Sequence, residues 1–86
     1  MQSFQNKTLY KRYVTVVVET DKLGKLTPLH LVWDEGKIYK IDAILEIRKA
    51  ASIVGGCGIL YIVKIQGQIR RLYYELNRWF IESTTP

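Results

Sequence analysis

Lys64, Arg70, Arg71 and Arg78 are interleaved with Tyr61, Tyr73, Tyr74 and Trp79 in the last third of the chain. Small β-barrels hold single-stranded nucleic acid with such sets, stacking bases on aromatic rings while cations follow the phosphates. Lys64, Arg70, Arg71, Tyr73, Tyr74 and Arg78 therefore form the candidate binding face. A two-residue turn at Gly67-Gln68 sets Lys64 opposite Arg71, and a three-residue loop sets it opposite Arg70. Either pairing costs stability unless an anion or a partner carboxylate bridges the cations. The competing reading is packing: Glu75 and Glu82 lie nearby, and strand tyrosines are commonly half-buried.

Other chemistry is sparse. His30 stands alone between Leu29 and Leu31, on the face opposite their stripe, and Cys57 is the one cysteine, with no neighbouring cation to lower its pKa. Neither belongs to a cluster with metal-ligand spacing. Gly55-Gly56-Cys57-Gly58 invites a phosphate-cradle reading. It runs into a strand-like segment without a following Lys-Ser/Thr, so a bulge or flexible hairpin tip is expected. Asp42 and Glu46 share a face, but four residues of strand span about 13 Å. A working acid pair needs roughly 5–9.5 Å. No catalytic, cofactor-binding or metal residue is assigned, no small-molecule substrate is evident, and an enzyme is not expected.

The elements that must position these residues read as strands. Tyr10 to Thr20 carries Val14, Val16 and Val18 as a stripe, and a turn over Thr20 to Lys25 leads to Pro28 to Trp33, with Leu29, Leu31 and Trp33 on one face. Asp34-Glu35-Gly36 is the clearest hairpin turn. Lys37 to Ala51 admits two readings. As a helix it aligns Ile41, Ile44, Leu45 and Arg48. As a strand it puts Tyr39, Ile41, Ala43, Leu45 and Ile47 on one face and Lys40, Asp42, Glu46 and Arg48 on the other, with Ile44 the violation. The strand is favoured, because the helix buries a charge and lacks a good N-cap, and a helical turn near Ala50-Ala51-Ser52 stays open. A strand this long must bend and serve both halves of a curled sheet. Ile59 to Gln66, Ile69 to Glu75 and Arg78 to Glu82 complete the set, with turns at Gln66-Gly67-Gln68 and Leu76-Asn77.

The expected fold is therefore all-β: a small curled antiparallel meander of about six strands, SH3-like or a similar small barrel that hides its edges. Residues 1–8 form a flexible lead-in, 9–82 one domain and 83–86 a tail. The expected core is Val14, Val16, Val18, Leu29, Leu31, Trp33, Tyr39, Ile41, Leu45, Ile47, Tyr61, Val63 and Trp79.

Size and composition bound the rest. Eighty-six residues make one small domain. Such a chain buries only about 60–65% of its unfolded surface, so dimerisation would help it. An apolar fraction of 48% argues against disorder. No apolar run approaches the roughly 20 residues that span a bilayer, and residues 1–20 hold no signal-peptide core. With the lone cysteine, this leads us to expect a cytoplasmic protein with no membrane partner. The net charge of +5 fits either an ordinary soluble surface or an anionic partner.

Spaced aromatics and glycines also carry a resemblance. Trp33-x-x-Gly36-x-x-Tyr39-x-Ile41-Asp42, Arg48-x-Ala50-x-Ser52, Gly55-Gly56-x-Gly58-x-x-Tyr61 and Trp79-Phe80-x-Glu82 occur in that order. From Val32 to Glu82 the chain resembles a family of small uncharacterised bacterial proteins, mainly from Firmicutes. The resemblance implies a small all-β cytoplasmic protein and supplies no active site. Cys57 falls where members vary, so it is given no role.

Three functions of different classes remain. The first is an interaction or assembly module whose partner is another protein or a second copy in a homodimer, and it is preferred because the charge excess is modest. The second is a small barrel binding single-stranded nucleic acid, with steep salt dependence. The third is an enzyme, which no constellation supports.

Overall fold

A computed structural model describes residues 9–52, 55 and 57–83, without the side chain of Cys57. The expected lead-in 1–8, tail residues 84–86 and Gly56 of the glycine loop lie outside the described residues. Among the described residues seven strands run in order: β1 (Tyr10–Thr20), β2 (Leu26–Val32), β3 (Ile38–Lys40), β4 (Ala43–Ala51), β5 (Cys57–Ile65), β6 (Gln68–Glu75) and β7 (Arg78–Ser83). Ser83, expected in the tail, is buried and closes β7 opposite Tyr10.

The strands form one antiparallel sheet in the order β3-β2-β1-β7-β6-β5-β4, curled into a half-barrel. The fold class is the one expected. The strand count rises because the long segment after Gly36 divides at Ile41-Asp42. There the Ile41 amide donates to the Leu29 carbonyl on β2 (3.0 Å), and the next amide, of Asp42, donates to the Lys64 carbonyl on β5 (2.8 Å). The chain thus steps from one end of the sheet to the other, which is how one segment serves both halves. No helical turn forms at Ala50-Ala51, which end β4 as strand. Among the described residues the sheet is not fully closed, and β3 and β4 are its two ends.

Turn chemistry fixes the registers. Gly36 (φ +80°) follows a turn in which its amide donates to the Trp33 carbonyl at 2.8 Å, and the Trp33 amide donates to the Lys37 carbonyl at 2.7 Å. This is the three-residue hairpin with glycine at the left-handed position. The β5–β6 and β6–β7 hairpins turn on Gln66-Gly67 and Leu76-Asn77, all four with positive φ, as two-residue turns that match strand twist demand.

The concave face holds the main core: Leu31, Ile41, Tyr61, Val63, Ile65, Leu72, Trp79 and Ile81, with Val14, Val16, Val18, Trp33 and Tyr39 half-buried against it. Three expected core residues are corrected. Leu29 is exposed because the β1–β2 register skips it, Val17 facing His30 and Val18 facing Pro28. That bulge also lets Pro28, which has no amide hydrogen to donate, sit fully buried inside a strand. Leu45 is exposed for the same reason, since the β4–β5 register passes from Ile44 directly to Glu46. Ile47 lies opposite Tyr61 on the concave side but belongs to an end strand, which leaves it 40% exposed.

A second cluster lies on the convex face, where Leu60, Tyr73 and Phe80 align across β5, β6 and β7 and are fully buried. Tyr73 stacks on Phe80 (4.9 Å between centroids, 8° between planes), and Tyr13 meets Phe80 edge-on. The half-buried Glu82 carboxylate accepts from the Ser52 hydroxyl (2.9 Å) and the Tyr73 hydroxyl (3.2 Å), tying β7 to the end of β4.

Candidate functional site

The hairpin register redistributes the expected basic-aromatic face. The turn is Gln66-Gly67, not Gly67-Gln68, so Lys64 faces Ile69, Val63 faces Arg70 and Ile62 faces Arg71. Lys64 opposes neither arginine, and the like-charge pairing that would call for a bridging anion does not exist. By strand alternation Lys64, Arg71 and Tyr73 lie on the convex face, while Arg70 and Tyr74 lie on the concave one. Tyr73 is fully buried and Tyr74 packs against the core. Arg78 lies over the Tyr13 ring (4.1 Å) and donates to its hydroxyl (3.1 Å).

Two of these residues meet a better site, built around Trp33. One hollow of about 280 Å³ is floored by Leu31, Ile65 and Ile81, walled by Trp33 and Tyr39, and rimmed by Gln66, Gln68 and Arg70. Arg70 is the one charged group among the described residues that line it. Trp33 also walls a broader hollow of about 660 Å³, where β7 begins beside β1, which it shares with Asp34, Asn77, Arg78 and Trp79. Trp33 thus lines both hollows, with Arg70 entering one from the concave face of β6 and Arg78, beside Tyr13 on the convex face of β7, entering the other. Its position is well determined: Tyr39 packs perpendicular to it (6.4 Å, 89°), and the Arg12 guanidinium lies over the indole at 4.5 Å while pairing with Asp34. Lys37 sits 5.4 Å from the Tyr39 ring centroid. Among the described residues neither Arg70 nor Arg78 forms an ion pair.

Other candidates resolve into structural parts. Asp42 is exposed, as expected, but its carboxylate accepts the Gln66 amide at 3.0 Å. Glu46 pairs with Arg48 at 2.6 Å, the charge-balanced face read from the sequence. His30 is half-buried opposite Lys40. Gly58 is fixed by packing: a Cβ there would stand 2.3 Å from the Tyr74 carbonyl oxygen. Burial, with Tyr74 close by, raises the Tyr61 pKa, and the hydroxyl spans the interior to donate to the Leu26 carbonyl at 2.8 Å. Among the described residues no three His, Cys, Asp or Glu side chains gather as a metal site, and no helix is long and apolar enough to cross a membrane.

The chain matches no family model, no curated protein and no solved structure. The functional reading therefore rests on geometry.

One further surface belongs to that reading. Among the described residues β4 is a nine-residue end strand paired on one side only, to β5. It presents Leu45 (54% exposed) and Ile47 to solvent. An unpaired edge of this length offers a row of backbone donors and acceptors to another chain. Sequence periodicity locates the strand but gives it no function, because edge status depends on the pairing order.

Proposed function

We propose that the protein is a non-enzymatic assembly module of the small β-barrel type, a homodimer joined by antiparallel pairing of β4 with β4 of a second copy. The observation that carries the reading is the self-complementarity of this edge. β4 is centred on Ile47, and a two-fold axis there sets Glu46 opposite Arg48 of the copy and Arg48 opposite its Glu46. No like charges oppose each other in this register, and opposite cross-strand charges stabilise pairing by about 0.2–1 kcal/mol each. Ile47 meets its own counterpart, and Leu45 meets the stem of Lys49. Two-fold interfaces of this isologous kind are the commonest in soluble oligomers. A small domain with a thin core gains from the apolar surface so covered.

Sedimentation equilibrium over a concentration series tests the reading. The expected mass is twice 10.0 kDa, with little dependence on salt. A single species of 10.0 kDa at every concentration would overturn it.

A further inference from the structure

We infer that the two hollows flanking Trp33 form a seat for single-stranded nucleic acid, with bases against Trp33 and Tyr39 and phosphates at Arg70 and Arg78. The inference stands apart from the β4 edge and survives if the protein is a monomer.

The argument starts from charge and shape. The inner hollow offers an apolar floor, two aromatic walls, two amides and one guanidinium without a carboxylate partner among the described residues. Its complement is a planar ring with polar edges, attached to an anion. At about 280 Å³ it lies near the lower end of ligand pockets, roughly 300 Å³, so it suits a single ring system with its phosphate. A free mononucleotide and one unit of a strand share this chemistry. The strand is favoured because the pattern repeats across Trp33: the outer hollow again sets an arginine, Arg78, beside an indole, Trp79, and an amide, Asn77. The carboxylate there, Asp34, is occupied by Arg12. Lys64 and Arg71 lie on the opposite, convex face of the hairpin that carries Arg70 and add diffuse positive field around that hairpin. Stacking of bases on aromatics is tolerant of sequence, so little base preference is expected.

Fluorescence anisotropy with labelled ten-nucleotide oligothymidylate and oligoadenylate at about 50 mM salt, where electrostatic binding is strong, tests the seat. Both oligomers are expected to bind. Arg70→Gln and Arg78→Gln should each weaken binding at least about 5-fold and flatten the salt slope by about 0.7 for each phosphate no longer neutralised. Trp33→Phe should weaken it through a smaller stacking area, and Lys22→Gln, in the remote β1–β2 turn, should leave it within about 2-fold because it removes only diffuse charge. Intrinsic tryptophan fluorescence should be quenched by the oligomer far more than by thymidine monophosphate. Thymidine monophosphate binding as tightly as the oligomer would overturn the strand assignment in favour of a free nucleotide. No retention at low salt, or binding that both arginine variants leave unchanged, would overturn the seat itself. Loss of binding in Glu46→Lys, in place of loss in the arginine variants, would assign it to the β4 edge and overturn it as well.

Discussion

The carboxylate of Asp42 accepts the backbone amide of Gln66, 24 residues further along, at 3.0 Å. One exposed side chain thus fastens the corner where the chain crosses between the ends of the sheet to the hairpin that carries Arg70. The alternation pattern places Asp42 with Lys40, Glu46 and Arg48 on a solvated face, where replacement should do little. The corner contact changes that expectation. Asp42→Ala should destabilise the domain by about 1 kcal/mol, the scale of a charge-assisted hydrogen bond reduced by exposure, with Asp42→Asn recovering part of it. Urea unfolding of the three proteins reads the difference, and equal midpoints would show that the corner is held by the Ile41 and Asp42 amides alone.

Gly58 makes a sharper case. A methyl group 2.3 Å from the Tyr74 carbonyl oxygen cannot be accommodated without moving β5 from β6. Gly58→Ala should cost about 2 kcal/mol or more, in the range of overpacked core sites, despite the gain alanine normally brings to a strand. Thermal melts should show the effect, and unchanged stability would mean that the two strands lie further apart at this point.

Leu76 carries a conformational cost. It takes φ +50° in the first position of the β6–β7 turn and is 80% exposed, so it bears a left-handed penalty and buries nothing. Leu76→Gly or Leu76→Asn should stabilise by about 0.5–1 kcal/mol, since both residues tolerate that conformation. A fall in stability would show that Leu76 has a contact in solution that offsets the strain.

How much of this is readable from the sequence depends on parity. β1 is legible because Val14, Val16 and Val18 keep strict alternation over an unbroken strand. Leu29 and Leu45 are misplaced by alternation because each is the extra residue of a bulge, and a bulge inverts the inside-outside assignment with no mark in composition. The convex cluster of Leu60, Tyr73 and Phe80 escapes the pattern because alternation credits one face of a strand with burial, whereas central β5, β6 and β7 bury both. Local spacing is enough to single out Arg70 and Arg78. Their common neighbour Trp33 lies more than 30 residues earlier and reaches them through the β1–β7 pairing, which no periodicity announces.

Tyr61 gives a pH signature. Its pKa is raised from 10.0 by burial and, secondarily, by Tyr74. Below that value both folded and unfolded chains keep the proton, so stability is independent of this group. As pH rises through about 10 the unfolded chain releases the proton first, and stability falls. Tyr61→Phe should flatten this alkaline decline, while giving up the hydrogen bond to Leu26. A decline of equal slope in Tyr61→Phe would assign it to other groups.

The central claim is the two-fold pairing of β4, and charge reversal tests it most directly. Glu46→Lys alone sets lysine opposite Arg48 of the copy, twice per dimer, and Arg48→Glu alone sets two carboxylates against each other at the same two points. The double variant, carrying both changes, restores opposite charges at both. Sedimentation equilibrium, with circular dichroism to confirm folding, should find the single variants shifted to monomer and the double variant dimeric again. Single variants as dimeric as the original chain, or a double variant that stays monomeric, would contradict the pairing.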